Sequence, residues 1–332
     1  MLLTADQQTA LHDAMITAFG TAPTYPHPSA ELFADAPLSK AAEICGQATN
    51  PVRGSTPRTI QARGMTTGDF GHIIATAAAT FAVNRYTAAA RHLAFCGQIE
   101  AANFNPVEIA NIGNVGPLAK VGEFGEIQRG SVTMSAVSNA QLTSYASSLM
   151  FSREVVVNDQ TELVAKSLTG FGNAAALTEA QAVYGALHEN PTMNDGAPVF
   201  HSDYGNIVGA LSDTTLAAAL AALRNGFDEP VDLPAAHLVV AAGLEYTATK
   251  LVRDAGLPLA VTASALLPAG EWYLLPDPQI QPVVSVIRLK SVKTPVRIEP
   301  HPTPIEIDGF TVKASCELGA VILSRHVIRG AA

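Results

Sequence analysis

The stretch 111–130, NIGNVGPLAKVGEFGEIQRG, constrains the fold more than any other part of this sequence. It has glycines at short intervals and few large apolar side chains. It lies within 95–159, where Val, Ile, Thr and Ser recur in a pattern that is typical of long strands. A segment of this length with so little to bury does not form a core of its own. It therefore predicts a long excursion that is ordered by contacts outside its own subunit.

Helical and strand patterns occur on both sides of this excursion. Apolar residues at helical spacing predict helices at 3–19, 37–46, 65–93, 158–190, 212–225 and 243–256. Strand-like runs occur at 95–157, 236–242, 259–267, 271–278, 282–289, 295–300, 305–318 and 319–330. Prolines in 20–40 exclude the interior of a regular element and predict a linker or an extended arm. Together these patterns predict an α+β fold.

Composition and charge argue against several classes of function. Apolar residues make up 48% of the 332 residues, which is enough for a sizeable core. Charged residues make up only 15%, and so bland a surface indicates that much of it is covered by something else. The net charge of −9 argues against binding nucleic acid by neutralising its phosphates. No apolar run approaches the roughly 20 residues of a membrane span, so no membrane partner is expected.

The basic residues and the cysteines carry no motif of their own. The densest basic group consists of Arg288, Lys290, Lys293 and Arg297. It alternates along an extended stretch and predicts a solvated strand face. The three cysteines are Cys45, Cys96 and Cys316. They lie far apart without zinc-binding spacing, which predicts buried free thiols in a reducing compartment.

The segment 196–207, GAPVFHSDYGNI, places a histidine, a serine and an aspartate in consecutive positions. A catalytic triad needs residues from different places, because adjacent side chains of an extended chain point to opposite faces. His201 and Asp203 share a face, yet no third metal ligand stands out in the sequence. We interpret the segment as loop scaffolding and keep a hydrolase that uses His201 or Ser202 as a remote alternative.

The remaining motifs do not indicate chemistry either. The glycine-rich GNVGPLAKVG matches neither GxGxxG nor the phosphate-binding GxxxxGK[ST] loop. The other histidines are isolated, and the carboxylates show no pairing suited to acid–base catalysis. The sequence therefore predicts no catalytic residue, no cofactor site and no metal site, and a protein that is not an enzyme.

Several motifs resemble one known family when they are taken in order. They are RGMTTGDFGHIIATAA, GEFGEIQRGSVTMSA, SREVVVNDQTEL and NPTMNDGAPVFHSDYGN, followed by GFTVKASCELGAVILSRHVIRG. This ordered set is similar to the major capsid proteins of tailed phages and Mu-like prophages. PLSKAAEICGQATNPVRGSTPR resembles the linker to a prohead protease, which is often fused to the capsid part in that family. Glu154 and the single Asp159 depart from the family's usual SRQ and NDD, and 1–36 matches nothing, which leaves proteolytic maturation open.

The resemblance implies a Hong Kong 97-type capsid fold, and each part of that fold has a counterpart here. The implied parts are an N-terminal arm and linker at 1–105, an extended loop at 106–141, a peripheral domain at 142–211 and 283–332, and an axial domain at 212–282. The helix after Asn158 would be the spine helix of the peripheral domain. The excursion described above would be the extended loop, which lies across a neighbouring subunit.

The function implied by the resemblance is that of a major capsid protein. Its copies would form hexamers and pentamers of an icosahedral head around double-stranded DNA, without binding a particular DNA sequence. The protein would assemble in the bacterial host cytoplasm and remain in the virion, with portal, scaffold or prohead protease, and decoration proteins as further partners. An encapsulin-like compartment with the same fold is the alternative.

Covalent locking of the shell is not expected. Some members of this fold join subunits by an isopeptide bond between a lysine on the extended loop and an asparagine near the end of the chain. Lys120 lies at a suitable loop position, but no asparagine follows Asn225. The sequence therefore predicts a shell that is held by non-covalent contacts alone.

Overall fold

The computed structural model describes residues 5–18, 23, 25–33, 37–49, 68–112, 134–158, 160–193, 195–226, 232–292, 294–302 and 309–331. Most of the stretch 111–130 and Lys120 lie outside the described residues. The chain divides into two compact units. The first comprises Met1–Ala90, Ser144–Thr178 and Val292–Glu317, and the second comprises Arg91–Thr143, Glu179–Ser291 and Leu318–Ala332.

Helices and strands occur in separate runs over much of the chain, as expected for an α+β protein. The helices are α1 (Ala5–Ala18), α2 (Pro37–Thr49), α3 (Gly68–Ala89), α4 (Arg153–Val157), α5 (Thr161–Glu189), α6 (Asp213–Asn225) and α7 (Glu245–Asp254). The strands are β1 (Gly97–Ala101), β2 (Val107–Ile112), β3 (Met134–Ala140), β4 (Thr143–Ser152), β5 (Ile207–Val208), β6 (Ala235–Ala241), β7 (Ala260–Ser264), β8 (Trp272–Pro276), β9 (Val284–Leu289), β10 (Arg297–His301), β11 (Gly309–Ile322) and β12 (Ile328–Gly330). No described helix has the length and apolar character that crossing a membrane requires.

In the first unit, helices pack against strands from the later part of the chain. Helix α1 buries Leu11 and Met15, two of the apolar residues whose helical spacing predicts it. Strand β10 pairs antiparallel with β11, from Arg297 opposite Ser315 to His301 opposite Thr311. Helix α3 approaches β10 so closely that a Cβ at Gly71 would touch the ring of Pro300.

The second unit contains a sheet in the order β5-β12-β8-β6-β7. Strand β6 is parallel to β7 and antiparallel to β8. All five residues of β8 are buried, including Trp272 and Tyr273. Helix α6 begins with a capping box, in which Ser212 accepts a hydrogen bond from the Thr215 amide and the Thr215 side chain accepts one from the Ser212 amide. The sequence SDTT, with polar residues directly before an apolar run, is typical of such a helix start.

The two ends of the predicted extended loop, 106–141, form a pair of strands in the second unit. Strands β2 and β3 are antiparallel, with Ile112 opposite Met134 and Val107 opposite Ala140. They make a two-stranded sheet that, among the described strands, is shared with no other. The residues between them, 113–133, are not described.

Two boundaries differ from the sequence prediction. REVVV, 153–157, was predicted as strand but forms the short helix α4, because its turn buries Val156 and is closed by a 2.8 Å hydrogen bond from the Asn158 amide to the Glu154 carbonyl. The sequence prediction also ended one strand at Leu318 and began the next at Gly319, which is wrong. Strand β11 continues to Ile322. Gly319 allows the backbone at Gln141 to approach closely, since a Cβ there would clash with the Gln141 carbonyl.

Candidate functional site

The segment 196–207 forms a loop that is held by its own polar side chains. His201 caps a 3-10 turn over Ser202–Tyr204, and its Nδ1 accepts a 3.2 Å hydrogen bond from the Asp203 amide. The buried Asn206 side chain accepts from the His201 amide and donates to the Val199 carbonyl, at 3.0 and 2.8 Å. Ser202 Oγ lies 3.3 Å from an Asp203 carboxylate oxygen and is exposed. This geometry orders backbone, and it gives Ser202 no histidine base.

A buried ionic cluster in the second unit was not predicted from the sequence. Its members are His92, Glu179 and Arg288, and we call it the Glu179 cluster. The Glu179 carboxylate is 3.0 Å from His92 Nε2 and accepts hydrogen bonds of 2.9–3.2 Å from Arg288. The expectation of a solvated strand face is therefore wrong for Arg288, and the expectation that the other histidines are isolated is wrong for His92.

The Glu179 cluster affects the cysteine beside it. Burial raises the pKa of the Cys96 thiol, the negative charge of Glu179 raises it further, and Arg288 lowers it. The thiolate is the nucleophilic form, so Cys96 is held in the unreactive thiol form. Cys45, Cys96 and Cys316 are buried, and none of these three described cysteines forms a disulfide, which confirms the prediction of buried thiols.

A second ionic cluster joins three elements of the second unit around Glu271. The carboxylate accepts a 2.6 Å hydrogen bond from Arg329 and a 2.9 Å bond from the Tyr273 hydroxyl, and His188 Nδ1 lies 3.1 Å away. Burial raises the pKa of Glu271, but the bonds from Arg329, Tyr273 and His188 lower it by more, so the net shift is downward. His188 is thus another histidine that is not isolated.

A third arginine fastens the 196–207 loop to the segment before β12. Arg325 bonds Asp195 at 2.6 Å and the Ala197 carbonyl at 3.0 Å, and its guanidinium lies 4.5 Å from the ring centre of Tyr204. The bond from Arg325 is the main cause that lowers the pKa of Asp195 to about 2. The loop is therefore held by a charged contact as well as by its own side chains.

The ionic clusters connect elements of the second unit. The Glu179 and Glu271 carboxylates are buried and already accept several hydrogen bonds, so neither offers a free base to a reactant. Within the described residues, no group of three His, Cys, Asp or Glu side chains is arranged to hold a metal ion. The charged members of each cluster lie far apart in sequence, and no short motif marks them.

Comparison with known proteins gives one family. The family described as phage capsid protein matches residues 135–329, which is more than half of the chain. That range contains both Glu179 and Glu271. No curated protein sequence matches the chain.

Solved structures of capsids and related particles are similar to the chain. The capsid of Cyanophage P-SCSP1u has a TM-score of 0.51 at 13% identity, over 73% of this chain and 88% of that chain. A virus-like particle from Pyrococcus furiosus has a TM-score of 0.48 at 11% identity, over 76% and 96% of the two chains. The satellite phage P4 procapsid has a TM-score of 0.47 at 12% identity, over 76% of this chain and 90% of that chain. At 13% identity, the likeness to the cyanophage capsid supports a shared fold and nothing further about this chain.

Proposed function

Because the chain belongs to the phage capsid protein family, it is a capsid shell protein, and we propose that its copies form hexamers and pentamers of a closed icosahedral head around double-stranded DNA. The fold is of the Hong Kong 97 type. The observation that carries the proposal is the family match over 135–329, which spans α5, all of 212–282 and the last strands. The head would assemble in the cytoplasm of a bacterial host.

The β2–β3 pair supports an extended loop at 106–141. A two-stranded sheet is marginally stable when it stands alone in water. Here the two strands pair only with each other in the described part of the chain, and they enclose the residues that have little to bury. Contact with a neighbouring subunit would supply the missing burial.

The remaining division of the chain is also part of the proposal. An axial domain at 212–282 is supported by one hydrophobic cluster that α6, β6, α7 and β8 share. Its buried members include Leu216, Leu238, Val252, Trp272 and Leu274. The arm and linker at 1–105 and the peripheral domain at 142–211 and 283–332 complete the assignment, with α5 as the spine helix.

The charge of the chain fits a wall that encloses DNA without binding it tightly. At a net charge of −9 the subunit has no excess of cations with which to neutralise phosphates. DNA would be retained by closure of the shell after entry through a portal. Portal, scaffold or prohead protease, and decoration proteins are the further partners that we propose.

Imaging and nuclease protection test this function together. The full chain is expressed in bacteria, purified and examined by negative-stain electron microscopy and light scattering. Closed, uniform shells support the proposal, and a strictly monomeric, ordered protein contradicts it. Particles from infected or induced cells should contain nuclease-protected double-stranded DNA. A lumen filled with one cargo protein would favour the encapsulin-like compartment instead.

A further inference from the structure

Strand β4 is unusually exposed for a member of a sheet. Every residue from Thr143 to Ser148 is exposed, whereas β11, with which β4 pairs, is buried along most of its length. Two large apolar side chains of β4 are left in solvent, Tyr145 at 41% and Met150 at 52% exposure. Monomeric proteins rarely leave such a strand uncovered.

One edge of β4 has no strand partner. Among the described strands, β4 pairs with β11 alone, so the amide and carbonyl groups of its other edge are unpaired by any of them. Proteins commonly protect such an edge with lysine, proline or a bulge. The ten residues TSYASSLMFS contain no charged residue, no proline and no glycine. This edge is therefore suited to pairing with another extended chain.

An open pocket lies beside β4 in the same unit. Its volume is about 220 Å³, below the roughly 300–1,000 Å³ of typical small-molecule sites. It is lined by residues of β4, α5 and β11 together with Val296, and none of the lining residues is charged. Its lining includes Tyr145, Phe171 and Ala175.

A buried hydroxyl in the pocket lining has no hydrogen-bond partner among the described residues. Ser315 is 6% exposed and lines the pocket, and its Oγ makes no hydrogen bond to any of them. A buried polar group without a partner is costly. A backbone or side chain that enters the pocket would provide the missing partner.

We propose that the free edge of β4, with the adjoining pocket, is a docking surface for an extended segment of a second copy of this chain. The segment adds its backbone to the edge and inserts one side chain into the pocket, as in other cases of strand addition. This proposal rests on the proposed shell function, because it names a surface through which copies meet.

Charge favours a second copy as the occupant. Each subunit has a net charge of −9, so copies repel one another and must meet where charge is scarce. The cores of protein interfaces are likewise depleted of charged residues. Both β4 and the pocket lining satisfy this requirement, because neither contains a charged residue.

Charge substitution at the exposed edge provides the first test. Ser148→Lys and Met150→Lys are made in the full chain, and Ser148→Thr is the matched neutral control. Because both positions are exposed, subunits should keep the wild-type circular dichroism and urea midpoint. We expect each lysine variant to lower the yield of sedimenting particles at least about tenfold, since it places a hydrated charge in the interface. Ser148→Thr should assemble as wild type does.

Hydrogen exchange provides a test that does not depend on a variant. Peptides covering 143–152 should exchange more slowly in wild-type particles than in unassembled subunits. The inference is overturned if exchange there is equal in both states, or if both lysine variants assemble at wild-type yield. Slow exchange that appears only in particles carrying a second kind of protein also overturns it. A wild-type chain that never assembles would instead contradict the proposed function.

Discussion

Glu179 and Arg288, which are 109 residues apart in the sequence, form a salt bridge of 2.9 Å in the interior of the second unit. The Glu179 side chain is only 2% exposed, and that of Arg288 is 26% exposed. Arg288 contributes two nitrogens to the contact, and His92 approaches the same carboxylate. The bridge therefore ties the last turns of α5 to β9 and compensates a carboxylate that would otherwise be costly to bury.

The first prediction concerns this bridge. Glu179→Ala should lower the free energy of unfolding of unassembled subunits by about 3 kcal/mol, because it removes the carboxylate that accepts the hydrogen bonds of the partly buried Arg288. Urea unfolding monitored by circular dichroism measures the change. Glu162→Ala is the control on the same helix, since Glu162 pairs with Lys166 in solvent. Equal effects of the two substitutions would contradict a structural role for the buried bridge.

Local signals in the sequence predicted most element types. The polar start SDTT marked the beginning of α6, and Pro191 marked the end of α5 at Glu189. These features depend on a few neighbouring residues, so they can be read without knowledge of the fold. Such local signals fail at REVVV, 153–157. Its β-branched residues favour a strand, but burial of Val156 and a local turn give the helix α4 instead.

The ionic clusters could not be predicted in this way. Arg288 belongs to an alternating run that has the pattern of a solvated strand, and nothing in its neighbours indicates Glu179. Only the fold brings the two residues together. The same holds for Glu271 and Arg329, which are 58 residues apart. The family resemblance gave the fold, but it named none of these residues.

The second prediction uses the tight contact between β12 and β8. A Cβ at Gly330 would overlap the indole ring of Trp272, which is completely buried. Gly330→Ala should therefore lower the free energy of unfolding by about 1–3 kcal/mol, through displacement of the ring. Trp272 is the single tryptophan, so its fluorescence reports unfolding directly. Gly243→Ala, where the added methyl meets no atom within 4 Å, should have no such effect.

The third prediction concerns acid stability. Because the pKa of Glu271 is lowered in the folded state, its ionised form contributes stability at neutral pH. That contribution is present above the unfolded-state pKa of about 4.3 and is lost as the pH falls through the lower folded-state value. Glu271→Gln should thus be less stable than wild type at about pH 6, and the difference should narrow as the pH falls below about 4.3, the unfolded-state pKa. A difference in urea midpoint that stays constant with pH would contradict this assignment.

The fourth prediction concerns 116–130, which lies outside the described residues. In unassembled subunits, limited proteolysis should cut first within 116–130, because this stretch has too few large apolar residues to resist opening. It should cut less readily within α1, which buries Leu11 and Met15. Assembly should protect 116–130, as burial against neighbouring subunits is what the extended loop requires. Mass spectrometry of the fragments identifies the sites. Identical cleavage of subunits and shells would count against a loop between subunits.

The last prediction concerns how the shell is held together. An isopeptide lock of the kind implied by the resemblance needs an asparagine acceptor late in the chain, and none follows Asn225. Cys316 does not offer a substitute, because its side chain is buried in β11. Burial of apolar surface and strand pairing would then hold the subunits. Mature particles boiled in detergent and reductant should run as a single band near 34.6 kDa. A ladder of covalent multimers that disappears in Lys120→Ala would show that the lock is covalent after all.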